Sequence, residues 1–252
     1  MTVDRWAQAV RQQLGIGRLL PLGGPGDGAW ISEAAAREVL RRSVTEVRGV
    51  RLGSVRLSQA DPDGVYEAGV PAPPSALPPG PLRIVAECEA TVDEPLPAAT
   101  ARLRAALSRA ADEGLGLVVT EVDLQVTALL DGPPGEAGPD RDAAPEEPAE
   151  APSLSGDEAR AAQAALAVPG VARLTGKPAG LGRAVHIEER PGEASLPRRH
   201  VRVELAVSAG ARALDTARAV RQAVSTALPD GPSVAVLVTG ATAEAARTAP
   251  NG

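Results

Sequence analysis

The feature that most constrains this chain is that it repeats itself. A helical pattern closing on Val47-Arg48-Gly49-Val50 leads into a strand over 52–57. A strand over 82–91, an Arg/Ala-rich helix and an alternating strand within 118–130 follow. After an acidic, proline-rich break the order returns. A helix over 157–168 runs into Pro169-Gly170-Val171, then strands over 183–189 and 200–208, a helix over 214–228 and a strand over 233–239. Identities echo too: Thr100-Ala101-Arg102 returns as Thr216-Ala217-Arg218, and Val126-Thr127 as Val238-Thr239. Two copies of one α-β-β-α-β unit predict an α+β protein of two similar two-layer domains, each with helices on one face of a three-stranded sheet. The expected boundaries are an amphipathic N-terminal helix at 1–22, a first domain at 30–131, a disordered acidic linker at 132–154, a second domain at 155–240 and a disordered tail at 241–252.

The core must be built from small side chains. The 252 residues hold no Phe, one Tyr, two Trp and one Met, so Val, Leu and Ala fill the interior and each buries less area. Lys177 is the only lysine and Asn251 the only asparagine, a bias that reads as the coding preference of a high-GC bacterium. The net charge of −6 is local: between Asp131 and Glu158 nine acids meet one base, Arg141, which leaves the remainder slightly basic. Neither part carries the basic excess of a nucleic-acid-binding domain, so no nucleic acid is expected.

The single cysteine, Cys88, cannot form an internal disulfide and sits in an apolar strand pattern, as a buried thiol does. No stretch approaches 18 apolar residues and the N-terminus lacks a leader pattern. The expectation is a cytoplasmic protein with no transmembrane segment of its own, peripheral at a membrane only through a partner.

No catalytic constellation emerges from the motifs, and no cofactor or metal is expected. Gly170…Gly176-Lys177 has five residues where a phosphate loop has four, and Pro178 stands where the Ser/Thr belongs. His186 and His200 fall on adjacent predicted strands with Glu188 and Glu204 nearby, which leaves a metal site conceivable beside the plainer reading of two surface strand residues. The insertion at 61–81 has no periodicity and reads as a mobile loop. In the N-terminal segment Trp6, Val10 and Leu14 fall at helical spacing, and Leu19 and Leu20 continue the apolar surface. Exposed together they would form a patch too large for a quiet surface, so these five are the candidate docking residues. They either pack on the first unit or dock to a partner or membrane surface.

Ser32 before Glu33 is a good N-cap for the first helix. From there the run Trp30-Ile31-Ser32, Ala36, Val39, Glu46-Val47-Arg48-Gly49-Val50, and then Gly116-Leu117-Val118 through Val126 resembles the bacterial alkaline shock protein family. The resemblance covers 30–130 well and the second copy more weakly. It implies non-enzymatic, self-associating proteins tied to the cell envelope through a small membrane anchor, with a role in envelope or alkaline stress. Two fused copies, an N-terminal extension and a proline-rich insertion depart from that pattern.

The reading is therefore a scaffold or interaction protein whose partner is a protein. The alternatives are a KH-like RNA-binding module and a metal-dependent enzyme through His186 and His200. A KH-type module needs a basic-flanked Gly-x-x-Gly between helices, and the instances at 23–26, 132–135 and 135–138 lie in linkers.

Overall fold

Ser32 starts the first helix as its sequence promises: its Oγ accepts the Ala35 N–H at 3.2 Å, satisfying one of the free first-turn donors. The computed structural model describes residues 17–132, 156–176, 183–190 and 198–242. In chain order these form β1 (Leu19–Leu22), β2 (Ala29–Ser32), α1 (Glu33–Ser43), β3 (Val50–Gln59), β4 (Leu82–Thr91), α2 (Leu96–Arg109), a wider turn at Ala110–Leu115 and β5 (Val119–Leu130). Then come α3 (Asp157–Leu166), β6 (Val171–Leu174), β7 (Val185–Arg190), β8 (Arg198–Ser208), α4 (Ala213–Ala227) and β9 (Ser233–Thr242). Among the described residues this is a mixed α+β architecture of four helices and nine strands in two sheets.

The smaller sheet has the order β3-β4-β5, with β3 antiparallel and β5 parallel to the central β4. Leu82, Ile84, Ala86, Cys88 and Ala90 alternate inward, while Arg83, Glu87 and Glu89 alternate outward, the period-two pattern of a sheet with one wet face. The parallel β4–β5 pair requires a crossover, which α2 supplies. Pro95 and Pro97 suit its start, where a missing N–H costs nothing.

The larger sheet has the order β1-β2-β9-β8-β6, with β7 also pairing β8. Here β8 is parallel to β9 across α4 and antiparallel to β6 and β7, so its three-strand pairing follows that of the smaller sheet. Two separate strands, β6 and β7, pair antiparallel with different stretches of β8.

Three expectations need correction. First, Leu19–Leu22 is a strand and not the end of a helix: β1 pairs antiparallel with β2, and Leu19, Leu20 and Leu22 are at most 1% exposed. Second, the two units are not self-contained. Residues Ala29–Ile31 pair parallel with Val236–Val238, so the first unit contributes strands to the second unit's sheet, which is six-stranded. One continuous core joins Leu40, Leu57, Ile84 and Leu103 to Val203, Val220, Val236 and Val238. Third, the insertion at 61–81 packs as a strap across the larger sheet's second face. There Val70 is buried with Leu19, Trp30, Ala235 and Leu237, with Ala76 against them.

Gly116 packs closely against α4. It holds a left-handed φ of +83° at the end of the wide turn, and a Cβ there would lie 2.4 Å from Leu214 Cβ on α4. Only glycine satisfies both the turn and the contact.

Candidate functional site

The sequence stretch Glu46–Gly49 lies in the turn between α1 and β3, and it lines the larger of two adjoining cavities. Gly49 adopts φ +71°, and a Cβ on it would meet Thr91 Oγ1 at 3.0 Å and Glu94 Oε1 at 3.3 Å. Gly170, before β6, also has positive φ, at +93°. Arg102, on α2, then fastens the turn by donating to the Arg48 carbonyl at 3.1 Å. The same nitrogen, Nη2, also donates to one oxygen of the Glu94 carboxylate, and Nη1 donates to the other at 2.7 Å. This hydrogen-bonded pair holds Glu94 below the usual carboxylate range and raises Arg102.

The first cavity encloses about 730 Å³ and is lined by Glu46–Gly49, Thr91, Asp93, Glu94 and the α2 face Arg102, Ala105, Ala106 and Arg109. The second, of about 470 Å³, runs between α1 and the Val207–Ala211 turn that leads from β8 into α4. Ala106 and Arg109 line both, so the two make one groove from the Glu46–Gly49 turn to the second unit. Small side chains on α2 leave its floor open, whereas α3 and α4 lie packed against each other. Its rim is charged. Among the described residues the Arg48 and Arg109 side chains make no ion pair, while Arg102 is committed to Glu94. An apolar floor with a charged rim is the anatomy of a contact surface.

The five docking residues read from the sequence do not come together. Trp6, Val10 and Leu14 lie outside the described residues. Leu19 and Leu20 are 1% and 0% exposed and point to opposite faces of their strand, Leu20 into the main core and Leu19 into the cluster around Trp30. Both are covered by the chain itself.

His186 faces Arg202 and His200 faces Glu188 across the β7–β8 pair. His200 is not the surface residue expected: it is buried, with Nδ1 2.8 Å from Ser233 Oγ, because its strand lies inside the larger sheet between β7 and β9. Desolvation lowers the His186 pKa, and the Arg202 charge lowers it further. Among the described residues no group of three His, Cys, Asp or Glu is placed to hold a metal ion. Cys88 is fully buried, and burial pushes its thiol up.

The Gly-x-x-Gly at 23–26 lies in the β1–β2 turn, where Gly23 N–H donates to the Gly116 carbonyl at 2.9 Å. The other two instances run outside the described residues. Among those described, no helix is long and apolar enough to cross a membrane.

The groove itself was missed in the sequence. Its one visible signal was the alanines Ala105 and Ala106 on α2 and Ala110 at the start of the wide turn, which read as core until the neighbouring helix is known to stand off. No protein-family pattern, curated protein or solved structure matches the chain.

Proposed function

We propose that this chain is a scaffold or interaction protein of the alkaline-shock type, and that its partner, a protein, docks in the groove between α1 and α2. The observation that carries this reading is the placement of Glu46–Gly49, the stretch most like that family, on the groove wall. The charged rim, with Arg48 and Arg109 uncommitted among the described residues, favours a polar-edged protein contact.

The same reading takes the two units as copies of one ancestral α-β-β-α-β unit. Matching strand pairings support it, as do Thr100 and Thr216: each donates its hydroxyl to the carbonyl four residues back at the start of the crossover helix. The protein then works in the cytoplasm, in envelope or alkaline stress, and reaches a membrane through its partner.

Ala106 lines both cavities, so Ala106→Arg plugs the groove with little effect on the core. Crosslinking in native cells, followed by mass identification, compares this variant with wild type. A protein partner recovered with wild type and lost with Ala106→Arg supports the reading. Partners and membrane fractionation identical in both, with the variant folded, overturn it.

A further inference from the structure

The strap at 61–81 occupies a built surface, and its fit there shows what that surface recognises. It carries seven prolines, at 62, 71, 73, 74, 78, 79 and 81. Val70, just before Pro71, drops into a notch among Leu19, Trp30, Ala235 and Leu237. The notch exists because Gly28 has no side chain: a Cβ there would stand 2.6 Å from Val70 Cγ2.

Further along, the strap pairs with the outer edge of β1. Leu19 N–H donates to the Ser75 carbonyl at 3.1 Å, and Leu77 N–H donates to the Leu19 carbonyl at 2.8 Å. A sheet edge is a template for an extended chain, and here the strap takes it.

Two features show that this occupancy is imperfect. Trp30 is 2% exposed, yet its indole N–H has no acceptor among the described residues. An unmet buried donor is costly, and proline-rich chains are rich in unpaired carbonyls that could meet it. Ser75, whose carbonyl makes the edge contact, is held at φ +64°, a left-handed conformation that serine adopts at a cost.

We propose that the Trp30 notch and the β1 edge form a docking site for an extended, proline-rich peptide segment with a small branched residue before proline. The strap is a tethered ligand that fills this site until a segment of the same chemistry, able to satisfy the indole N–H, displaces it. The site shares no residue with the groove between α1 and α2, so it stands or falls separately from the scaffold reading.

The test uses the full chain with Trp6→Phe, which leaves Trp30 as the only tryptophan. Two variants are made in it: residues 63–79 replaced by a short Gly-Ser linker, and Val70→Ser with the strap otherwise intact. Both should shift Trp30 emission to the red. A synthetic peptide of sequence 67–79 should reverse the shift saturably, binding Val70→Ser at least ten-fold more tightly than the parent. The same peptide with glycine at the positions of Pro71, Pro73 and Pro74 should bind at least ten-fold more weakly. Three results would overturn the proposal: emission that stays blue in both variants, a folded red-shifted variant with no saturable response, or equal binding of the proline and glycine peptides. Should the linker variant fail to fold, equal peptide affinity in Val70→Ser and the parent has the same force.

Discussion

Arg218 and Asp27 are 191 residues apart in sequence, and the guanidinium of one grips the carboxylate of the other through two hydrogen bonds, at 2.7 and 3.0 Å. Arg218 stands in the Thr216-Ala217-Arg218 triplet that echoes Thr100-Ala101-Arg102 in sequence, and the two arginines take different partners. Arg102 fastens a turn inside the first unit, through Glu94 and the Arg48 carbonyl. Arg218 reaches from α4 to the glycine-rich β1–β2 turn, where Asp27 also accepts the Gly24 N–H at 2.7 Å. Arg221, one turn further along α4, donates to the Gly26 carbonyl at 3.0 Å and to the Asp27 carbonyl. The hairpin at the start of the described chain is thereby pinned to the helix that precedes its last strand.

Asp27→Asn should lower stability by about 1 kcal/mol, the scale of a charge-assisted pair whose arginine is half exposed. The hydrogen bond to Arg218, above all, holds the Asp27 carboxyl below the usual range. Its contribution is therefore complete above the unfolded value of about 3.9 and is lost as pH falls through the lower folded value. Urea midpoints measured from pH 6 down to 2.5 should converge for wild type and Asp27→Asn at the acid end.

His186 behaves with the opposite charge logic. Burial and Arg202 disfavour its protonated form, so the neutral ring carries no penalty above the unfolded value of about 6.5. Stability is lost as pH falls from there through the folded value, where the ring must charge. His186→Gln should flatten the urea midpoint between pH 7 and 5 relative to wild type. A midpoint that falls equally in both variants contradicts this assignment.

Gly116→Ala should cost about 2–4 kcal/mol, since a left-handed backbone and a 2.4 Å contact with Leu214 act together. Chemical denaturation reads the loss directly. Gly26→Ala is the control: open space surrounds that position and its φ is not positive, so its cost should stay below about 1 kcal/mol.

Deleting residues 1–22 should abolish cooperative unfolding. That truncation removes Leu19, Leu20 and Leu22, each at most 1% exposed, and strips β2 of its antiparallel partner. At about 1.5–3 kcal/mol per buried leucine, the loss approaches the whole stability of a typical domain. Circular dichroism melts of the 1–22 and 1–16 deletions separate the strand's contribution from that of the residues before it.

The larger pattern of helices and strands was legible because it is local. The alternation in 82–91 and 200–208, the Ser32 cap and the helical face of α4 are written in neighbouring residues, and the observed elements follow them within two or three positions. The left-handed glycines after α1 and α3, Gly49 and Gly170, were legible for the same reason: the chain must turn after a helix, and glycine does so without strain. Other features depend on partners distant in sequence. Leu19 and Leu20 share one apolar surface only if the segment is helical, and it is pairing with β2 that makes it a strand and sends them to opposite faces. The segment 29–32 carries no sign that β9, some two hundred residues on, will be its neighbour. The proline-rich stretch at 61–81 lacks periodicity because it forms neither helix nor ladder, and it is ordered only by the sheet face and edge it lies on. The groove is likewise a product of tertiary placement: alanines that would be core under a close helix become the floor of a cleft when α1 stands away from α2. Sequence decides what a residue can do within its own element; which face that element meets is decided when distant segments compete to bury the same apolar surface.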